Sequence, residues 1–377
     1  MTIRRRSLLA SIPFITAPAL AVAQSRGEPL RVGAFGPYSG SAAAFGQSMR
    51  EGIELVTEAR NRAGGIRGQR IEVTFADDGG RPEEAATIAR RFATRDRVLL
   101  AFGSVSSPAS LSASQVFREE EVPQIAITAT SQRLTRVGNE WIFRSTVPDR
   151  KQVADLVDFI AERHPQVKRF AAICVNDDFG RGGVEAFNEL ARAKGLSTVA
   201  EERYARGDID FTAQLTRLRG ANPDAILDWS RYTEGALIVR QLRQMQSNLP
   251  VFGSDGYAVP AYVELAGQAA EGVTYVTPFS IATAASNPVA QRLTAELHSA
   301  HNKVPDGTHA LAYDAANAAY AAIERAGRAD RRAIRDALRQ TDMDSTRGRL
   351  RFDQTGDPTL VSPVVQIRNG READARA

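Results

Sequence analysis

The feature that most constrains this chain is a strand-then-helix rhythm that runs through two consecutive series. "LRVGAFG" (30–36) is a short apolar strand. "GQSMREGIELVTEARNRAGG" follows it with Met49, Ile53 and Val56 at helical spacing and stops at Gly64 and Gly65. "QRIEVTFADD" reads as the next strand. "RPEEAATIARRFAT" is a helix with a proline at its start and two acids in its first turn, a placement that suits the helix dipole. "RVLLAFG", "PASLSASQVFREE" and "VPQIAITATS" repeat the pattern. After "WIFRSTVPDR" the rhythm restarts with "KQVADLVDFIAERH", "RFAAICVND", "GRGGVEAFNELARAKG", "LSTVAEERY", "DFTAQLTRLRGA", "PDAILDW", "TEGALIVRQLRQM" and "LPVFGSDG". Alternation at this spacing predicts an α/β fold with parallel sheets covered by helices on both faces. Two series predict two α/β lobes. About 350 residues beyond the leader also exceed one ordinary core.

The last third departs from a chain of two beads. "EGVTYVTPFS" reads as a crossover strand. Helices follow over "NPVAQRLTAELHSAH", "HALAYDAANAAYAAIERAG" and "DRRAIRDALRQ". "GRLRFDQTGDP" and "LVSPVVQIRNG" read as a hairpin. This material must pack on lobes already built.

Residues 1–23 form a separate segment. Arg4, Arg5 and Arg6 precede an apolar run from Leu8 that ends in Ala21-Val22-Ala23. That is the pattern of an export leader cleaved near Ala23, and it is not a membrane span. The adjacent arginines fit either the general secretory or the twin-arginine route. Three of the four formal positive charges leave with this segment, so the mature chain is nearly neutral. No basic stripe interleaved with aromatics marks a nucleic-acid footprint. The single cysteine, Cys174, excludes an intrachain disulfide and any CxxC metal site. The four histidines form no HExxH motif, and no metal or cofactor is expected.

In open parallel sheets, ligands bind beyond the carboxyl ends of the strands. The loops there are "GPYSGSAAAFG", "DDGG", "GSVSSPAS", "TATSQ", "NDDFGRG", "DWSRYTEG" and "SDGYAVP". They hold no nucleophile elbow, no phosphate loop and no histidine to serve as a base. Paired acids at Asp77/Asp78 and Asp177/Asp178 leave a hydrolase as the enzyme alternative, against a reading in which they cap helices and hold loops. Binding needs less. Ser106 or Ser107, just before a helix, and Thr130 can converge on a carboxylate. Asp255 can meet an ammonium group. Phe45, Phe179, Trp229 and Tyr232 can bury an apolar remainder.

The ordered set "GPYSG", "GIELV", "NRAGGIRG", "DDGGRPEEA", "NDDFGRGG" and "GRLRFDQTGD" resembles the periplasmic solute-binding proteins of ABC transporters, of the branched-chain (Leu/Ile/Val-binding) type. The likeness spans essentially the whole chain after the leader. It implies two Rossmann-like lobes joined by three crossovers, one of residues 28–145 with 274–345 and the other of 146–273 with 346–370. It also implies a solute cleft between them, closing by hinge motion. The partners it implies are a small solute and the ABC permease, with a monomeric receptor in the periplasm. By position, Ser107 matches the serine that holds the α-carboxylate, with Ser106 beside it. Thr130 matches the family threonine, Thr128 a backbone contact near the ammonium, and Asp255 the ammonium's acidic partner. The loop aromatics fall on Phe45 and Phe179.

Two departures stand out. A disulfide found near the cleft of some members has no counterpart here. Trp229, Arg231 and Tyr232 stand where amino-acid binders often carry small residues and a tyrosine. A cleft-facing Arg231 would favour a second anionic group on the solute, because a guanidinium grips a carboxylate bidentately. The expected function is receptor for a branched-chain or related amino acid. The alternatives are an aromatic acid, a dicarboxylate or another small carboxylate, or amide or urea sensing on the same fold.

Overall fold

The computed structural model describes residues 27–377; the leader expected over 1–23 lies outside the described residues. The first series builds β1 (Leu30–Gly36), α1 (Ala43–Arg62), β2 (Ile71–Asp77), α2 (Pro82–Thr94), β3 (Ala101–Phe102), α3 (Ser107–Glu119), β4 (Gln124–Ala126), α4 (Arg133–Arg136) and β5 (Ile142–Arg144). The five strands form one parallel sheet in the order β2-β1-β3-β4-β5. All of β1 but Arg31 is buried, as a strand covered by helices on both faces requires.

The second series gives α5 (Asp149–Arg163), β6 (Arg169–Val175), α6 (Asp178–Arg192), β7 (Ser197–Tyr204), α7 (Thr212–Gly220), β8 (Ala225–Trp229), α8 (Tyr232–Gln244), β9 (Val251–Gly253), α9 (Pro260–Ala266) and β10 (Thr274–Val276). The remainder comprises α10 (Ile281–Ala284), α11 (Pro288–His301), α12 (Gly307–Ala326), α13 (Arg331–Arg339), β11 (Asp342–Ser345), β12 (Gly348–Arg351), β13 (Val364–Arg368) and β14 (Arg371–Asp374). The second sheet runs β14-β13-β10-β9-β8-β6-β7. It is parallel from β7 to β10, and β13 and β14 are added antiparallel at its far edge.

Four expectations need correction. The 348–358 and 360–370 segments do not pair as one hairpin. β12 pairs with β11, which the sequence reading missed, and β13 pairs with β10 and β14. The crossover expected at 274 comes after Val276, because β10 is bonded into the second sheet. The return expected at 346 is completed only at Val364. Before that, Asp357 lies 2.6 Å from the fully buried Arg144 at the end of β5, and Gly356 accepts the Arg144 N–H. "WIFRSTVPDR" contains the edge strand β5, where the sequence suggested only a boundary.

α12 packs along α1 and so belongs with the first sheet. Gly52 makes the approach possible, since a Cβ there would sit 2.8 Å from the His309 carbonyl oxygen and 2.9 Å from the Ala312 Cβ. Buried Glu51 accepts from His309 Nε2 at 3.0 Å and from Lys303 Nζ at 2.7 Å. Asp306 caps the helix reciprocally with His309. Burial works against a charged His309, but Asp306 and Glu51 outweigh it and raise its pKa to about 9. This network fixes the start of α12, which points toward the gap between the sheets. Among the described residues, no helix is long and apolar enough to cross a membrane.

Candidate functional site

The hydroxyl cluster after β3 divides its labour. Ser104 Oγ donates to buried Asp78 at 2.6 Å. Ser110 Oγ accepts from the Ser104 N–H and donates to its carbonyl. Ser106 is the N-cap of α3 and accepts from Ala109 N at 3.5 Å. Ser107, the next residue, accepts from Ser131 N at 3.3 Å and lines a cavity between the lobes. The paired acids are structural in the same way. Asp77 accepts from Tyr38 N and Gly79 N, Asp78 from Gly80 N, and Asp177 caps α6 through Phe179 N and Gly180 N. Asp178 bonds Arg133 at 2.6 Å.

The space between the cavity's lining residues is about 400 Å³, counting the part open to solvent. That suits one compact solute. Phe45, Val105, Ser107, Thr128 and the α12 residues Gly307, Thr308 and Leu311 face it from the first lobe's side. Phe179, Arg231, Asp255, Gly256 and Ala258 face it from the second, and Pro278 from the crossover. Helices α3, α6, α8 and α12 present their first residues or N-caps here. Four positive dipole ends offset the acid in this space and favour a carboxylate.

Asp255 is held from behind. Gln152 Nε2 donates to its Oδ2 at 3.1 Å and to the Val147 carbonyl at 2.8 Å. The Asp255 loop is pinned to the end of β8 by Ser254 Oγ, which donates to Ser230 O at 2.8 Å. Only glycine fits at 256, because a Cβ would lie 2.1 Å from that same carbonyl oxygen. Burial pushes Asp255 up to about 7, against the opposing pull of Gln152 and Arg231. Asp149, one layer deeper, is pushed up to about 8 by burial and by Asp255.

Arg231 is buried, with Nη1 2.9 Å from Asp177 Oδ2 and its guanidinium 4.9 Å over the Phe179 ring. Burial opposes its charge, but Asp177, with Tyr204 and Glu234, outweighs burial and the net shift is upward.

Of the residues singled out in the sequence, the structure brings Phe45, Ser107, Thr128, Phe179, Arg231 and Asp255 to one cavity. Thr128 is engaged by its own loop, donating Oγ1 to Val105 O at 2.9 Å. Four others stand back from the lining. Ser106 is the cap already described. Thr130 is fully buried, and its hydroxyl has no hydrogen-bond partner among the described residues. Trp229 is fully buried, with Nε1 donating to Asp149 at 3.1 Å, and backs Phe179 at 6.3 Å. Tyr232 packs edge-on to Phe45 at 5.4 Å. Phe45 lies in the first turn of α1 and not in a loop, because Ala42–Ala44 already favour helix. Sequence reading missed Thr308 and Leu311. The signal available was "PDGTHALAYD", where an aspartate N-cap opens a long helix.

The lobes meet above the cavity. Arg206 donates to the carbonyls of Gly80 at 2.8 Å and Gly79 at 3.3 Å. Thr233 Oγ1 donates to Ser41 O at 2.8 Å, and Tyr232 Oη accepts from Ala44 N at 3.5 Å.

A model of the family described as periplasmic binding protein matches residues 29–372. The chain is 30% identical over 362 residues to the Leu/Ile/Val-binding protein homolog 3 of Brucella melitensis, covering 96% of each chain. It is 28% identical over 331 residues to the leucine-, isoleucine-, valine-, threonine- and alanine-binding protein of Pseudomonas aeruginosa, covering 88% of this chain and 87% of that one. Among solved structures it is similar to the leucine binding protein LivK of Thermotoga maritima, with TM-score 0.86 and 30% identity, covering 91% of this chain and 97% of that one. The branched-chain substrate binding protein LivJ of Streptococcus pneumoniae, in complex with isoleucine, gives TM-score 0.85 and 28% identity over the same shares.

Proposed function

This chain belongs to the periplasmic binding protein family, and on that premise we propose that it is the solute receptor of an ABC importer, taking one branched-chain or related α-amino acid into the interlobe cleft and delivering it to the permease. The family is one of solute-binding proteins and not of enzymes. The observation that carries the amino-acid reading is a small cavity between the lobes with Asp255 on one wall and Ser107, at a helix start, among its other lining residues. An α-ammonium meets Asp255 and restores its ionised form. The α-carboxylate takes the Ser107 hydroxyl and the N-terminal N–H groups of the surrounding helices. Phe45, Val105, Phe179, Pro278 and Leu311 cover the side chain. Thr128 holds the Val105 loop. Ser106, Thr130, Trp229 and Tyr232 act from behind this lining, as cap, buried support and rim.

The receptor works as a periplasmic monomer after its leader is removed near Ala23, by the general secretory or twin-arginine route. One lobe comprises 28–145 and the helices up to about 345. The other comprises 146–276 and the strands from 364. Closing them around solute presents one shape to the permease.

The test is binding by residues 24–377 after unfolding and refolding to strip retained solute. A thermal-shift screen over the common amino acids, small amides, urea, aromatic acids and dicarboxylates comes first, then calorimetry. A bound solute raises the melting temperature by mass action. A rise with α-amino acids supports the reading. A rise confined to amides, urea or acids without an α-ammonium refutes it, as does turnover of the bound solute.

A further inference from the structure

Arg231 is the one cation in a cavity otherwise lined by apolar groups, hydroxyls and an acid. It is not available as an unopposed charge. Asp177 holds it at 2.9 Å, and Asp177 is itself fixed, because Oδ1 accepts the N–H groups of Phe179 and Gly180 at 2.9 and 3.1 Å. No other carboxylate among the described residues pairs with Arg231. The other charged groups nearby are already engaged. Buried Glu234 accepts from Gly207 N at 3.0 Å, Arg206 bonds the Gly79 and Gly80 carbonyls, and Asp178 bonds Arg133. The pair is therefore neutral as a unit, yet one fork of five N–H donors cannot be filled by one carboxylate oxygen.

We propose that the Arg231–Asp177 pair selects α-amino acids whose side chain ends in an uncharged acceptor, a carboxamide or hydroxyl, over alkyl side chains of the same shape and over side-chain carboxylates. This rests on the amino-acid reading above and, within it, favours related amino acids with a polar side chain over the branched-chain alkyl ones. An alkyl group seated against Arg231 strips water from the remaining N–H groups and returns no acceptor, which is the expensive half of losing a hydrogen bond. A side-chain carboxylate fails on charge. Asp255 cancels the solute's ammonium and Asp177 cancels Arg231, so the α-carboxylate is already balanced only by hydroxyls and helix ends. A second anion in this space has no unpaired cation left to meet in the cavity lining. The sequence expectation that a cleft-facing Arg231 calls for a second anionic group is the opposite outcome, and aspartate against asparagine decides between them.

The experiment uses near-isosteres, so that shape is held constant. Calorimetry on the refolded receptor compares threonine with valine, and asparagine with leucine and aspartate. Threonine over valine and asparagine over leucine, each by roughly tenfold or more, is the expected result. Aspartate binds more weakly than asparagine by a similar factor. Arg231→Met reverses the asparagine-to-leucine preference. Asp177→Asn keeps a side-chain oxygen for the α6 cap and frees the guanidinium's charge, so aspartate gains on asparagine by about tenfold. Should Arg231→Met fail to fold, Asp177→Asn carries the test alone. Leucine bound as tightly as asparagine, and valine as threonine, overturns the proposal while leaving the receptor an amino-acid binder. Equal binding of asparagine and aspartate, unmoved by Asp177→Asn, overturns the charge argument. No binding of any α-amino acid overturns the amino-acid reading, and this one with it.

Discussion

Replacing Asp255 with asparagine is expected to stabilise the empty receptor while removing its grip on solute. Asp255 is 7% exposed, and burial lifts its pKa from 3.8 to about 7. Between those pH values the unfolded chain has released a proton that the fold retains. Stability therefore falls as pH rises through this window and stays low above it. A gap of about three units corresponds to at most about 4 kcal/mol at pH 8, shrinking to about 1 kcal/mol at pH 4.5. Asparagine keeps an oxygen for the Gln152 Nε2 donor, so little packing is lost. It also removes the charge that helps raise Asp149, which acts in the same direction. Urea denaturation of solute-free wild type and Asp255→Asn at both pH values measures the difference. The variant should be more stable by about 2–4 kcal/mol at pH 8, and the gain should shrink on acidification. Calorimetry should show amino-acid affinity weakened by roughly 2–5 kcal/mol, the cost of an ammonium left without its partner. A variant no more stable than wild type at pH 8, or a gain independent of pH, would refute the reasoning.

Adjacent serines should separate cleanly. Ser107→Ala should weaken solute binding by about 1–3 kcal/mol in calorimetry. Ser106→Ala should leave affinity unchanged and lower unfolding stability by about 1 kcal/mol, as for a lost N-cap. Arg206→Ala removes two bonds across the lobe seam. It should raise the solute dissociation rate several-fold, with an expanded bound form in small-angle scattering. Asp357→Ala leaves the fully buried Arg144 without its ion partner and should cost about 3–5 kcal/mol in urea denaturation.

The parts of this molecule set by local pattern were readable in its sequence. Apolar strands closed by Gly, Ser and Asp gave the two α/β series, and the loop between β3 and α3 already pointed at Ser107. The parts set by long-range pairing were not. Nothing local in "IFR" at 142–144 separates an edge strand from a linker, and its partner β4 is known only once the sheet forms. The order β10-β13-β14 depends on a crossover that no periodicity records. The same limit applied to the site. Trp229 and Phe179 are both aromatics at loop edges, yet Trp229 turned inward to Asp149 and only Phe179 reached the cavity. Thr308 arrived from a helix some 50 residues beyond the loop that holds Asp255, carried there by how α12 lies on α1. Arg231 was legible as a residue but not as a neutral pair, because its partner Asp177 comes from a different strand end.

The seam above the cavity carries a consequence for how such a receptor changes over generations. Apart from Arg133 with Asp178, the bonds that join the lobes there end on main chain in the first lobe: Ser41 and Gly79–Gly80 carbonyls and the Ala44 amide. A peptide group survives any substitution of the side chain it carries. At Ser41 and Ala44 the rim is thus free to drift in sequence without loosening the lid, whereas Gly79 and Gly80 hold positive φ and a Cβ at Gly80 would sit 2.6 Å from the Arg206 guanidinium. Changes at the cavity wall can retune which nutrient is captured without first having to reinvent how the cleft shuts.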